Sequence, residues 1–221
     1  MRLKNRLATT RRIQNSTNKL RRRRTESLFF GIDSRPYGLA YGEWTAKWWQ
    51  WLLSIPRDVN PAVDDTGKNA SVNQVDSNVW FLAGTLSSRG VERTCRIPAG
   101  KAILFPITTH EWSFAEDPSL QSDLALLANA KEDQDKVANT EATIDGVKLR
   151  KIDKCRVGSS VFDIILPKNN ILGVKAGPSR AASDGYWVFL KALNGKGNHT
   201  IHFIGYEPDL HIDVTYIIRM R

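Results

Sequence analysis

Glu43, His110, Glu111 and Asp184 are the acid and base side chains that lie in the motif-dense stretches of this chain. General acid–base catalysis needs two such groups within hydrogen-bond reach of one substrate atom, and their spacing along the sequence does not bring them together. Glu43, His110 and Asp184 define one alternative, a hydrolase or lyase. No Gly-X-Ser-X-Gly elbow, phosphate loop or dinucleotide fingerprint occurs, which disfavours serine-hydrolase and nucleotide chemistry. Zinc or iron needs three or four converging ligands. His199 and His202 fall three apart on an expected strand and so point to opposite faces, while His202 and His211 meet only across a hairpin. Asp58, Asp64, Asp65, Asn69 and Asp76 supply oxygens of the kind calcium accepts. Their spacing fits no EF-hand loop, and an Asx-turn explains Asp65-Thr66-Gly67 equally well. No cofactor or metal site is therefore expected, with calcium or zinc as the lesser alternatives. Trp49, Trp112, Tyr186 and Trp187 offer ring faces able to stack a sugar or another flat ligand; core packing is the competing role for tryptophan in a β-sandwich.

The element that organises these residues is Tyr41 to Trp51, where four of the seven tryptophans fall within eight positions. At 100° per residue, Trp44, Trp48, Trp51 and Ile55 form one stripe and Ala46, Trp49 and Leu53 form a second, roughly opposite. Only Glu43, Lys47, Gln50 and Ser54 remain as a polar stripe, with Glu43 and Lys47 in the favourable order for an ion pair. A helix that is apolar on two faces must be covered on two sides, and Pro56 ends it.

Charge is distributed unevenly. Residues 1–24 hold ten basic side chains and no acid, whereas the rest carries 22 basic and 23 acidic groups. Residues 1–30 read as a basic, disordered arm, and the run Arg21-Arg22-Arg23-Arg24 suits phosphates. Nucleic acid or another anionic surface is the partner this implies; a solvated tail or a targeting peptide is the alternative. No apolar region follows Arg11-Arg12, so no secretory signal is read and the cytoplasm is the expected location. Cys95 and Cys155 lie 60 positions apart, outside any metal-type spacing. A disulfide or two buried thiols both fit.

Residues 31–221 read as one mainly β domain, an antiparallel, jelly-roll-like β-sandwich with two inserted α-helices. After a long ordered loop from Pro56 to Asn78, strands are expected at 79–84, 91–97, 102–107 (closed by Pro106), 143–149 (with an Asp-Gly hairpin turn), 161–166, 186–193, 200–204 and 212–218. Over 91–97, Val91, Arg93, Cys95 and Ile97 share one side. The second helix is expected to open at Asp117-Pro118 and to bury Leu120, Leu124, Leu127 and Ala128.

Tyr41-Gly42-Glu43-Trp44 with Trp48-Trp49-Gln50-Trp51, Val79 to Thr85, Ile97-Pro98-Ala99-Gly100-Lys101, Asp184-Gly185-Tyr186-Trp187-Val188 and His199 to Phe203 follow one another as they do in a family of uncharacterised prokaryotic proteins. The resemblance covers about residues 37–218 and implies a domain extent but no activity. Members of that family often look exported and often carry a cysteine near the position of Asn69-Ala70, able to pair with the one at Cys95; this chain has none there. The function expected is a non-catalytic binding or assembly module with a cationic arm. A capsid- or shell-like subunit is the third alternative.

Overall fold

The computed structural model describes residues 28–221 except 76–77, 194–196 and 208–209. The expected disordered arm, with Arg21 to Arg24, lies outside the described residues. The tryptophan helix forms as α1, Tyr41–Leu53. No side chain caps its start; Glu43 Oε2 instead accepts from the Ala40 N–H at 2.7 Å and lies 3.4 Å from Arg35 Nη2. Both apolar stripes are buried, while Lys47, Gln50 and Ser54 are exposed. Each indole N–H reaches a different segment: Trp44 to Pro36 O (2.8 Å), Trp48 to Leu82 O (2.9 Å), Trp51 to Val72 O (2.9 Å) and Trp49 to Thr109 Oγ1 (3.2 Å). Burying one indole of this size is worth about 4–6 kcal/mol of transfer free energy, and the four polar tips fix the orientation of the helix.

Ten strands form two mixed sheets: β1 (Val79–Phe81), β2 (Val91–Ile97), β3 (Ala102–Ser113), β4 (Asn139–Ile144), β5 (Val147–Lys148), β6 (Arg156–Gly158), β7 (Phe162–Leu166), β8 (Gly177–Leu190), β9 (Gly197–Tyr206) and β10 (His211–Met220). The first sheet runs β1-β3-β8-β6, with β7 also on β8; the second runs β2-β10-β9-β4-β5. The expectation of antiparallel pairing throughout is corrected in two places, since β1 pairs β3 and β2 pairs β10 in parallel. Between β1 and β3 the chain leaves to lay down β2 in the other sheet, so it returns in the same direction. β2 and β10 lie far apart in sequence, where no hairpin imposes reversal.

One hydrophobic cluster fills the space between the sheets, with Ile103, Phe105 and Val188 meeting Phe203, Val214 and Ile218; the Phe105 and Phe203 rings stack at 5.1 Å. A second lies on the other side of the first sheet, where Leu104, Phe81, Trp187 and Phe189 meet α1. The first sheet is thus covered on both faces.

Among the boundaries that differ from expectation, three bear on the site. Pro106 does not close β3. The strand continues to Ser113 through a bulge between Pro106 and Thr108, the setting in which a sheet tolerates proline. The second helix, α2, is Asp123–Asp135, with the Ser122 hydroxyl accepting from the Ala125 N–H. Asp117 instead makes an Asx-turn with Ser119. The later start rotates the buried face to Leu126, Ala130 and Gln134, leaving Leu124 at 76% exposure. β8 begins nine residues before Tyr186, in a Gly-, Ser- and Ala-rich stretch without apolar alternation. The Asp145-Gly146 turn forms as expected, with φ of 52° and 72°.

The loop from Arg57 to Asn78 is held by a buried cation. Arg93, inward on β2 at 1% exposure, donates from Nε to Asp64 O (2.6 Å) and from Nη1 to Ala83 O (3.0 Å), Gly84 O (2.7 Å) and Tyr216 Oη (2.8 Å); Nη2 reaches Ala62 O at 3.4 Å. The guanidinium also lies over the Tyr216 ring, 5.4 Å from its centroid. The Asp64 carboxylate accepts from Thr66 N–H, Thr66 Oγ1 and Asn69 N–H. Burial pushes that carboxyl up, but these hydrogen bonds and the Arg93 charge outweigh it and hold it below its ordinary range. Removing the guanidinium strands several buried carbonyls at once. Arg93→Met therefore costs about 3–5 kcal/mol of stability, whereas Arg96→Met, exposed on the same strand, changes it by less than about 0.5 kcal/mol. Urea midpoints followed by tryptophan fluorescence check this; equal losses would contradict it.

Candidate functional site

Beyond the bulge, β3 and β8 form a ladder that turns chemistry-bearing residues to both faces. Before the bulge Ile103 and Phe105 face the second sheet; after it Thr108, His110 and Trp112 do, opposite Tyr186, Asp184 and Ala182. Thr109, Glu111 and Ser113 turn to the side of α1, opposite Gly185, Ser183 and Ala181. The structure makes His110 and Asp184 direct cross-strand neighbours. Glu43 is not with them: it sits on α1, which covers the other face, and its Oε2 is engaged by Ala40 and Arg35.

Helix α2 packs over the His110 face. His110 Nδ1 lies 3.0 Å from Gln134 Oε1, and Nε2 lies 3.3 Å from Glu207 Oε2. Gln134 Nε2 donates to Thr108 Oγ1 at 2.9 Å, so its carbonyl oxygen is what the imidazole meets. An imidazole with an acceptor at each nitrogen carries both protons. Burial pulls the His110 pKa down, but the hydrogen bond and charge of Glu207, with Gln134 and Asp133, outweigh it and raise it above its ordinary value. Asp184 is equally committed, accepting from Arg156 Nε (3.1 Å) and Nη2 (2.9 Å). Arg156 Nη1 also pairs with Asp135 of α2 at 2.6 Å, and Nη2 donates to Lys131 O. Hydrogen bonds donated to Asp184 push the guanidinium pKa further up. Trp112 Nε1 donates to Asp133 Oδ2 at 2.7 Å. Both His110 nitrogens are thus engaged by side-chain oxygens, and the Asp184 carboxylate is occupied by a guanidinium.

On the opposite face Glu111 stands beside Glu116, whose Oε2 accepts from Ser113 Oγ at 2.7 Å. Burial, then the Glu116 carboxylate, push the Glu111 carboxyl well above the usual carboxylate range. Glu111 Oε1 and the Oγ of its cross-strand partner Ser183 are both buried without a hydrogen-bond partner among the described residues.

The aromatic candidates divide. Trp187 (0% exposed) and Trp49 (9%) are core side chains, with Trp48 set edge-on between them at 5.2 and 5.1 Å; their faces are not open to a ligand. Trp112 and Tyr186 are partly buried on the face α2 covers. Of the remaining histidines, His199 Nδ1 pairs with Asp145 at 2.8 Å, pinning the β4–β5 turn, and His202 Nε2 pairs with Asp213 at 2.9 Å. His202 stands opposite Thr215 and His211 opposite Tyr206, so these two do not meet across the hairpin. His211 instead stacks on Tyr206 at 4.6 Å. Among the described residues no three His, Cys, Asp or Glu side chains are grouped to hold a metal ion. In the long loop the Asp64 oxygens serve its own backbone, Asp58 accepts from Asn169, and Asp76 lies outside the described residues. Cys95 and Cys155 are free and buried, and burial pushes their thiols up to about 12 and about 11.

Sequence reasoning missed Arg156, Gln134 and Glu207, which occupy the site. Nothing marks Gln134 in a helix whose charged end reads as solvated, and Glu207 follows β9 on a turn. Only Arg156 carried a signal, as a cation in a segment otherwise short of elements.

No family model and no curated protein matches the chain. Among solved structures, it is similar to PbICP-C in its complex with falcipain-2, with 10% identity and a TM-score of 0.25 over 66% of this chain and 100% of that one. It is also similar to Amebosin, with 8% identity and a TM-score of 0.20 over 64% and 96%. Likeness at this level carries no argument about fold or function.

The His110 pairing has a pH signature. A histidine whose folded-state pKa is raised contributes its stability in full below the unfolded value, about 6.5, and loses it as pH rises through the higher folded value. His110→Gln is therefore expected to cost about 1.5–3 kcal/mol at about pH 5.5 and clearly less at about pH 8.5. Urea melts of both proteins across that range check the sign; a cost that grows with pH would contradict it.

Proposed function

We propose that this chain is a non-catalytic binding or assembly module. In this reading its two sheets form a sandwich, and the basic residues at 1–24 supply electrostatic attachment to a polyanion such as nucleic acid. The observation that carries the reading is that Glu43, His110 and Asp184, the groups nominated for the hydrolase or lyase site, spend their polar atoms on the chain itself. His110 is held between Gln134 and Glu207, Asp184 is closed by Arg156, and Glu43 is bound to Ala40 and Arg35. The hydrolase or lyase alternative gains nothing from that arrangement.

Charge supports the second half of the proposal. With 22 basic and 23 acidic groups, residues 25–221 have no field of their own to draw a polyanion, whereas ten cations without an acid precede them. Both helices make their main contacts with the first sheet. The outer face of the second sheet, with His202, Ile204, Asp213, Thr215 and Ile217 all partly exposed, is the surface on which the body would meet a partner. No helix among the described residues is long and apolar enough to cross a membrane, and two free buried thiols suit a reducing compartment. The cytoplasm is accordingly part of the proposal.

Binding to single- and double-stranded DNA, measured against salt for the full chain and for a chain lacking residues 1–24, tests it. The full chain is expected to lose affinity steeply between 50 and 200 mM salt, by on the order of 10³-fold or more, and the shortened chain to lose both the affinity and the salt dependence. Unchanged retention after the deletion would overturn the attachment role.

A further inference from the structure

We propose that Glu111, Glu116 and Ser183 form a binding site for a hard divalent cation of the calcium class, on the face of the first sheet that α1 covers. Glu111 and Ser183 are a direct cross-strand pair, which places their Cβ atoms about 4.5–5.5 Å apart on one face. Each ends in a buried oxygen without a partner among the described residues, Glu111 Oε1 and Ser183 Oγ. Buried polar atoms are almost always satisfied, so two orphaned oxygens on one cross-strand pair point to a group that binds both. The Ser183 backbone is fully occupied, its N–H donating to Ser159 Oγ (2.9 Å) and its carbonyl accepting from the Ser159 N–H (2.8 Å). That leaves the hydroxyl as the free ligand.

Glu116 is brought to the site by the turn that follows β3, where its own N–H and that of Asp117 both donate to Ser113 O (3.2 and 3.1 Å) and the Ser113 hydroxyl fixes its carboxylate. Glu116 is exposed, which gives the buried oxygens a way in from solvent. Ala181 and Gly185 flank Ser183 on the same strand face and add no bulk. All the donors are oxygen, which favours Ca²⁺ or Mg²⁺ over zinc, and an irregular set with one solvent-exposed carboxylate suits Ca²⁺, which takes six to eight oxygens in flexible geometry and completes its shell with water. Two carboxylates balance a divalent charge.

Terbium(III), excited through the tryptophans, is a direct probe, since Trp49 holds Thr109 on the same face. The full chain, stripped with chelator, is expected to sensitise terbium luminescence and to lose it on addition of excess Ca²⁺. Its Tm should also rise by on the order of 5–10 °C when Ca²⁺ is at 100 times its Kd. Glu111→Gln, nearly isosteric but without a carboxylate, should abolish both signals, and Ser183→Ala should weaken binding several-fold. Asp58→Asn with Asp65→Asn, in the long loop, should leave them intact. No Ca²⁺-dependent signal in the wild-type chain, or a signal that survives Glu111→Gln, overturns the proposal.

Discussion

A guanidinium with 1% exposure, bonded to no carboxylate among the described residues, is the constraint around which this fold closes. Arg93 enters the interior from β2, one edge of the second sheet, and its donors end on three separate pieces of chain: Ala62 and Asp64 in the long loop, Ala83 and Gly84 beyond β1 in the first sheet, and Tyr216 on β10. Tyr216 closes the circuit by donating to Ala83 O at 2.9 Å. Burying an unpaired charge costs several kcal/mol or more, and what makes it tolerable is that every acceptor is a carbonyl or hydroxyl already held in place. The loop, the exit of β1 and the second sheet are consequently fixed by one side chain. With the loop fixed, Val72 O is available to Trp51, and α1 can seat on the first sheet.

Seating α1 on one face and the second sheet on the other leaves the first sheet no solvent face over most of its length. The bulge at Pro106 then re-aims β3, so that the same two strands present His110 and Asp184 to α2 on one side and the Glu111 carboxyl, beside Glu116, towards α1 on the other. The bulge also drives Thr108 against β9. A Cβ at Gly205 would collide with Thr108 Cγ2, and glycine is what permits that approach. The two faces differ in chemistry because they differ in charge supply. Arg156 reaches Asp184 and Asp135 on one, while on the other Glu111 has only another carboxylate and a serine as its neighbours.

Much of this was legible wherever periodicity and burial coincide. The double stripe of α1, the alternation of β2 and the Asp145-Gly146 turn follow from local rules, and each appears at its expected residues. Alternation put Arg93 on the same side of β2 as Val91, Cys95 and Ile97, although the carbonyls that make its burial bearable come from residues 9 to 31 positions away in sequence and carry no side-chain signature. Parallel pairing was illegible because a strand does not record its neighbour's direction. The continuation of β3 was hidden by Pro106, which reads as a stop unless a bulge is known. The start of α2 was misplaced because Asp117-Pro118 satisfies the rule for a helix cap but forms a turn, and Ser122 takes the role five residues later. At the candidate site, adjacency of His110 and Asp184 is a matter of strand register across 74 positions. Their neutralising partners, Gln134, Glu207 and Arg156, are ordinary surface residue types until the fold brings them in.

Native-state hydrogen exchange on the Arg93→Met protein addresses the closing role of the guanidinium most directly. If that side chain fixes loop, strand and sheet together, the amides of Thr66 and Asn69 in the loop, Leu82 after β1 and Thr94 on β2 lose protection as a group and by the same factor. Loss confined to Thr66 and Asn69, with Leu82 and Thr94 exchanging as in the wild-type chain, would show that Arg93 holds only the loop and would contradict the account.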